Sequence, residues 1–261
     1  MLTQLHGTDR LAADDFYAIR TLHPSLRIVN WSGDSWLHSL TSPGMLELCR
    51  RFDLQLVAAP DVLPIYKDSG VKAAFWQIGY ESPVGSLPKM PHHDVVFLGN
   101  VITDKRRELF EFLRSLQGVD VGIYGDWKEA NGENTYDFGA GEALYKNAKI
   151  AIADNVYPDQ LNYTSNRPIQ CLMAGGAVLL HQHVPKMREL LGIERDVHYT
   201  QWTDFDHLAK TIHICLLSSQ KPINKHMAKM GQEYAQTHHT YAHRARQLFE
   251  ELLPVRHKIT Y

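Results

Sequence analysis

The stretch Asn162-Tyr163-Thr164-Ser165-Asn166-Arg167-Pro168-Ile169-Gln170-Cys171-Leu172-Met173-Ala174-Gly175-Gly176-Ala177-Val178-Leu179-Leu180 decides the fold. It reads as a polar loop, a short helix, a glycine pair and a buried strand. Pro168 suits the first helical turn, where no backbone donor is needed. Ser165 and Asn166 are candidate caps. Gly175-Gly176 stops the helix, and residues 177–180 follow as a strand. A helix start with free backbone N–H groups, beside the guanidinium of Arg167, is a natural diphosphate site. An ordinary capped helix with a surface arginine fits the same residues.

On either side of this stretch, helical and strand patterns alternate almost throughout. Before residue 80 the spacing predicts a helix over 9–22 capped by Thr8, a strand over 26–31, and a helix over 43–52 capped by Ser42. A strand over 54–58, a short helix over 61–68 and a strand over 71–78 follow. Residues 81–93 contain Pro83, Gly85, Pro88 and Pro91 and read as a linker. A second series then starts: strands over 95–98, 119–124 and 150–153, with helices over 104–116 and 141–148. Beyond the opening stretch come a helix near 186–191, a short strand near 198–200, and helices over 205–217, 224–237 and 242–253. Such alternation predicts βαβ units and parallel sheets. The domains expected are a short Rossmann-like one over 1–80, the linker 81–93, and a ligand-binding one over 94–261. Sheets of this type bind ligands beyond the carboxyl ends of their strands. Polar residues gather at four such ends: Gly99-Asn100, Tyr124-Gly125-Asp126, Asp154-Asn155 and His181-Gln182-His183.

Composition narrows the class. The chain has 261 residues, 44% of them hydrophobic and 21% charged, which allows two small domains. A net charge of −2 gives no global basic field for nucleic acid or an anionic membrane, and leaves room for a local basic patch. No apolar run reaches the ~18 residues of a membrane span, and the first residues lack a signal-peptide core. Cys49, Cys171 and Cys215 are odd in number and far apart. Cys49 and Cys171 lie in apolar helical patterns and read as buried thiols in a reducing, cytoplasmic setting. No zinc-ligand spacing is present among the 15 histidines.

The chain resembles the glycosyltransferases of the two-Rossmann-domain GT-B fold, in particular the group-1-like branch of spore-coat and phage-encoded enzymes. The carriers are the 95–100 and 122–126 strand ends, Ala143-Leu144-Tyr145-Lys146-Asn147-Ala148-Lys149-Ile150, the 162–176 segment, and His239-Thr240-Tyr241. The resemblance implies a nucleotide-sugar donor, UDP-linked, in the second domain. Gly99 and Asn100 would approach the donor phosphates. Tyr124, Gly125 and Asp126 would lie near the nucleoside, and Asn166 and Arg167 would meet the diphosphate. Tyr163, Thr164, Ser165 and Gln170 are further donor-contact candidates. A retaining enzyme of this group often carries two glutamates with seven residues between them here, whereas residues 166–174 contain no acid. The first domain is also shorter than a full Rossmann half, so either the enzyme is minimal or a partner completes the acceptor side.

Glycosyl transfer needs a held leaving group, a positioned acceptor hydroxyl and often a base. A helix N-terminus with Arg167 could stabilise the departing diphosphate without a metal ion. Asp34, in Trp31-Ser32-Gly33-Asp34, is the candidate base, with His38 as an alternative; a turn aspartate bonding its own backbone is the plainer reading. Trp31 and Trp36 could stack on a sugar or base, or pack in the core. His181 and His183 read as structural or solvated. Glu129, Glu133 and Asp137 fall in a Gly/Asn/Tyr loop that reads as solvated or as a lid over the donor.

The acceptor stays open between a glycan, a protein, a small molecule and a modified base in phage DNA. Lys105-Arg106-Arg107 and Arg50-Arg51 could supply local phosphate contacts to DNA. Lys221, Lys225 and Lys229 with His226 form an exposed helix face. The rival readings are a donor-binding or scaffold subunit that needs a partner, and a sugar-nucleotide epimerase. The GxGxxG fingerprint of a nicotinamide enzyme is missing. An exposed sheet edge on a short domain would favour pairing into a homo-oligomer.

Overall fold

The computed structural model describes residues 1–6, 11–33, 38–126, 130–132, 138–155 and 161–253. The Thr8 cap, Asp34, Trp36, Glu129, Glu133 and Asp137 lie outside them, as does the side chain of His38. The chain divides into two compact units. One holds the described residues of Met1–Ile78 with 161–163 and 242–253; the other holds those of 79–155 and 164–241.

The first unit contains β1 (Leu2–Thr3), α1 (Ala13–Leu22), β2 (Val29–Ser32), α2 (Pro43–Cys49), β3 (Leu54–Val57), α3 (Leu63–Asp68) and β4 (Ala73–Phe75). Its four strands are parallel and lie in the order β1-β2-β3-β4. The sequence pattern missed β1, which is two residues long and carries no periodicity. Ser42 caps α2 as expected, its hydroxyl accepting from the Met45 amide at 3.3 Å. Phe16, Ile28, Met45, Leu48, Val57 and Tyr66 fill one core of this unit.

The second unit contains β5 (Val95–Leu98), α4 (Asp104–Ser115), β6 (Val121–Tyr124), α5 (Phe138–Asn147), β7 (Ile150–Ala153), α6 (Arg167–Ala174), β8 (Val178–Gln182), α7 (Met187–Leu191), β9 (Thr200–Trp202), α8 (Phe205–Leu216) and α9 (Lys221–His238). Its strands are all parallel, in the order β6-β5-β7-β8-β9. β5 and β7 are continuous apolar runs because both faces of the sheet are covered. One face packs on α4 and α8 through Leu109, Phe110, Leu113, Leu208 and Ile212. The other packs on α5, α6 and α7 through Leu144, Ile169, Leu172, Met187 and Leu191. The closing segment, expected as a single helix over 242–253, is α10 (Tyr241–Arg246) followed by a π-helical stretch over Gln247–Leu252. Residues 76–94 carry neither helix nor strand.

The glycine pair of the opening stretch has two separate jobs. Gly175 is left-handed (φ 70°) and closes α6, donating its N–H to the Cys171 carbonyl at 3.2 Å. Gly176 lies so close to the Lys146 backbone that a Cβ would come within 2.3 Å of it. The Gln232 amide of α9 donates to the Met173 carbonyl at 3.0 Å, occupying one of the carbonyls left open at the end of α6.

Candidate functional site at the carboxyl ends of β5 and β7

Strand order in the second sheet reverses at β5. The connection from β5 leads outward to β6, and the chain then returns past β5 to β7, β8 and β9. The loops after β5 and β7 therefore diverge to opposite faces and leave a crevice, the usual ligand position in an open parallel sheet.

A buried ionic cluster forms the floor of this crevice. Asp154, just beyond β7, is 3% exposed. Arg106 of α4, 1% exposed, grips it with two bonds: Nε to Oδ2 at 3.0 Å and a terminal nitrogen to Oδ1 at 2.9 Å. The remaining Arg106 nitrogen donates to the Asn100 carbonyl at 2.9 Å. Arg167 reaches the same Asp154 oxygen at 3.4 Å, the Ser165 hydroxyl at 3.0 Å and, through Nε, the Leu98 carbonyl. Both guanidiniums lie over the Phe97 ring, 5.5 and 5.3 Å from its centroid. Burial pushes the Asp154 carboxyl up, but the two arginines outweigh it and hold it below the ordinary carboxylate range. Two cations against one carboxylate leave an excess positive charge. Lys105 adds to it from the first turn of α4, donating to the Asn155 carbonyl at 3.0 Å; burial lowers its pKa.

The glycines at the strand ends exist for close packing. A Cβ on Gly99 would meet the Arg167 guanidinium at 2.6 Å, and one on Gly125 would lie 2.0 Å from the Gly99 carbonyl oxygen. The Asn100 side chain accepts from the Asp126 amide at 2.8 Å, tying the loops after β5 and β6 together. Tyr124 turns back along its strand. Its ring is buried, and its hydroxyl meets His93 Nε2 at 2.8 Å, above Gly122, where a Cβ would collide with the His93 ring. The glycine two residues before Tyr124 was the available sign that this ring packs inward.

At the start of α6, Asn166 occupies the N-cap position without a side-chain cap bond. Ser165 Oγ accepts instead from the Arg167 amide at 3.4 Å. Thr164 is fully buried, 3.5 Å from His181 Nε2. His181 is also fully buried, and desolvation lowers its pKa to about 4. His183 is paired with the Gln201 side chain at 3.1 Å. Gln170 is half-buried in the first turn of α6. Tyr163 is buried and belongs to the first unit, where its neighbour Asn162 bonds Asp61 twice, at 2.9 and 2.7 Å. Of the expected donor contacts, the structure thus brings Gly99, Asn100, Gly125, Asp126, Ser165 and Arg167 to one place.

One expectation is corrected. Lys105-Arg106-Arg107 does not present three surface cations, because Arg106 is sunk into the ion cluster. Sequence reasoning missed Arg106 and Asp154 as partners since 48 residues separate them. The one signal was a charged residue one turn before Leu109 and Phe110, on the same face of α4 as those buried side chains.

Residues 105–250 match the glycosyl transferase-like family, and the chain belongs to it. Solved structures with the same fold include sucrose-phosphate synthase from Thermosynechococcus elongatus, with 11% identity and a TM-score of 0.62 over 95% of this chain and 71% of that one. HepE from Anabaena, in a complex with UDP-glucose, gives 14% identity and a TM-score of 0.62 over 92% and 76%. A glycosyltransferase from Rickettsia africae gives 12% and 0.64 over 92% and 79%. No curated protein matches the chain. The α/β architecture with two parallel sheets is that of the GT-B glycosyltransferases. Among the described residues no helix is long and apolar enough to cross a membrane.

Proposed function

We propose that this chain transfers a sugar from a nucleotide-sugar donor to a hydroxyl acceptor, with the donor diphosphate seated beyond β5 and β7. The observation that carries this reading is the cluster of two arginines on one carboxylate at the point where strand order reverses. Asp154 holds both guanidiniums in place, and one carboxylate leaves the pair with a net positive charge. As the bond between the anomeric carbon and the diphosphate breaks, negative charge grows on the leaving oxygens. Fixed cations stabilise that charge without reorganising. Arg167 and Lys105 supply them, and the start of α6 adds its dipole, so no divalent ion is needed for this step. The HepE complex with UDP-glucose supports a UDP-linked donor.

The test is nucleotide release from a panel of nucleotide sugars, with and without pooled acceptors and with a chelator in parallel. Release from one donor, retained in the chelator and lost in Arg167→Ala, is the expected result. Binding of a nucleoside diphosphate with no release under any condition would favour a partner-dependent binding subunit. For the proposed base, Asp34→Asn should lower kcat at least tenfold and leave donor affinity unchanged. Equal kcat in the variant would remove Asp34 from the mechanism.

A further inference from the structure

The turn between α8 and α9 combines exposed aliphatic side chains with a local excess of lysine. Ile214, Leu217 and Ile223 are 53%, 54% and 55% exposed. Residues 207–232 contain Lys210, Lys221, Lys225 and Lys229 and not one aspartate or glutamate, in a chain whose net charge is −2. Lys229 reaches Glu233 at 3.6 Å on the exposed surface. Lys210, Lys221 and Lys225 are exposed.

Helical geometry collects these groups. α8 buries Leu208 and Ile212, so Lys210 and Ile214, one turn apart, point the opposite way, with Leu217 close to the same line. The Asn224 side chain donates to the Cys215 carbonyl at 2.7 Å, which closes the end of α8 and fixes the first turn of α9 beside it. Ile223 and Lys225 flank that clamp. α8 leaves the carboxyl end of β9 and runs back along the sheet, so the turn lies toward the sheet's amino end. The candidate donor crevice is at the other end.

We propose that this turn docks on an anionic membrane surface, with the three aliphatic side chains entering the interface and the lysines meeting lipid headgroups. Aliphatic residues amid lysines suit this occupant, since lysine stems extend along an apolar surface while their ammonium groups stay in water. The stretch has no arginine, phenylalanine, tyrosine or tryptophan, so of the groups that stack on the bases of a single-stranded nucleic acid it holds only histidines. Docking at this end leaves the strand ends that carry the ion cluster open to donor.

The full chain is floated with vesicles of phosphatidylcholine, alone or containing phosphatidylglycerol. Binding to the anionic vesicles, suppressed by high salt and weak on the neutral ones, is expected. The combined variant Lys210→Gln, Lys221→Gln, Lys225→Gln should lose about a hundredfold in partition, from about fivefold per lysine. Ile214→Ser, Leu217→Ser, Ile223→Ser should lose about tenfold or more. Both alter exposed side chains only, and an unchanged thermal midpoint verifies that the fold is intact. No binding by the wild-type chain, binding untouched by either variant, or tighter binding to duplex DNA or an acidic polypeptide than to anionic vesicles would overturn the proposal.

Discussion

Both sheets bury polar side chains, but of opposite kinds. In the first unit the buried set is neutral. The Asn30 side chain donates to Gln55 Oε1 at 2.9 Å, Gln55 donates to the Ser32 hydroxyl at 3.0 Å and the Leu56 carbonyl at 2.8 Å, and Asn30 accepts from the Leu5 amide at 2.8 Å. This network crosses β2 and β3, whose strands follow one another without reversal. In the second unit the buried set is ionic, centred on Asp154, and it sits where strand order does reverse. A satisfied amide network fixes register and has little left to offer a ligand. An ion cluster with one carboxylate too few has positive charge to spend on an anion. The same α/β architecture thus yields a structural polar core in one sheet and a candidate binding floor in the other.

That contrast can be broken from the ionic side first. Arg106→Met removes the bidentate partner of a buried carboxylate and should destabilise the chain by about 3–5 kcal/mol, read as a lower denaturation midpoint. A change under about 1 kcal/mol would mean that Arg167 alone can hold Asp154. Arg167→Ala should lower turnover about a hundredfold to a thousandfold, as the loss of one transition-state donor does, with a smaller loss of stability.

Titration separates the sheets next. His181 is held uncharged by burial, with its pKa near 4. The unfolded chain takes up that proton near pH 6.5. Between pH 6.5 and 4 the unfolded state therefore gains a proton that the folded state refuses, and stability falls as pH falls, by about 3 kcal/mol in all. Asp154 acts in the same direction at lower pH, since its depressed pKa stabilises the fold above the ordinary carboxylate range and loses that contribution as pH drops through the folded value. His181→Gln should flatten the stability profile between pH 6.5 and 4; an unchanged slope would place the titration elsewhere. The smallest effect belongs to the neutral network. Gln55→Leu leaves Asn30 and Ser32 short of a partner and should cost about 1–3 kcal/mol, while nucleoside-diphosphate affinity stays at the wild-type value.

The sequence made some of this contrast legible. β5 and β7 have the bounds their apolar runs predicted, because a strand covered on both faces reads as unbroken hydrophobicity ended by turn residues. Arg167 and the glycine pair were readable because helix starts and stops are written locally. The ion cluster was not, because Arg106 and Asp154 meet only after the sheet has formed. Position 106 looked like a surface cation among others. Tyr124 looked available for the same reason: its partner His93 is 31 residues away across the strand pair. The long helix expected over 242–253 gave way to a π-helical end, where the apolar spacing of Leu248, Leu252 and Leu253 did not signal the change of pitch.

The proposed seat of the donor diphosphate is the positive charge beyond β5 and β7. Titration calorimetry with UDP tests it most directly, using the wild-type chain, Lys105→Ala and Gln55→Leu. UDP should bind the wild type and Gln55→Leu, and bind Lys105→Ala at least tenfold more weakly. Equal affinity in all three, or no UDP binding at all, would contradict it.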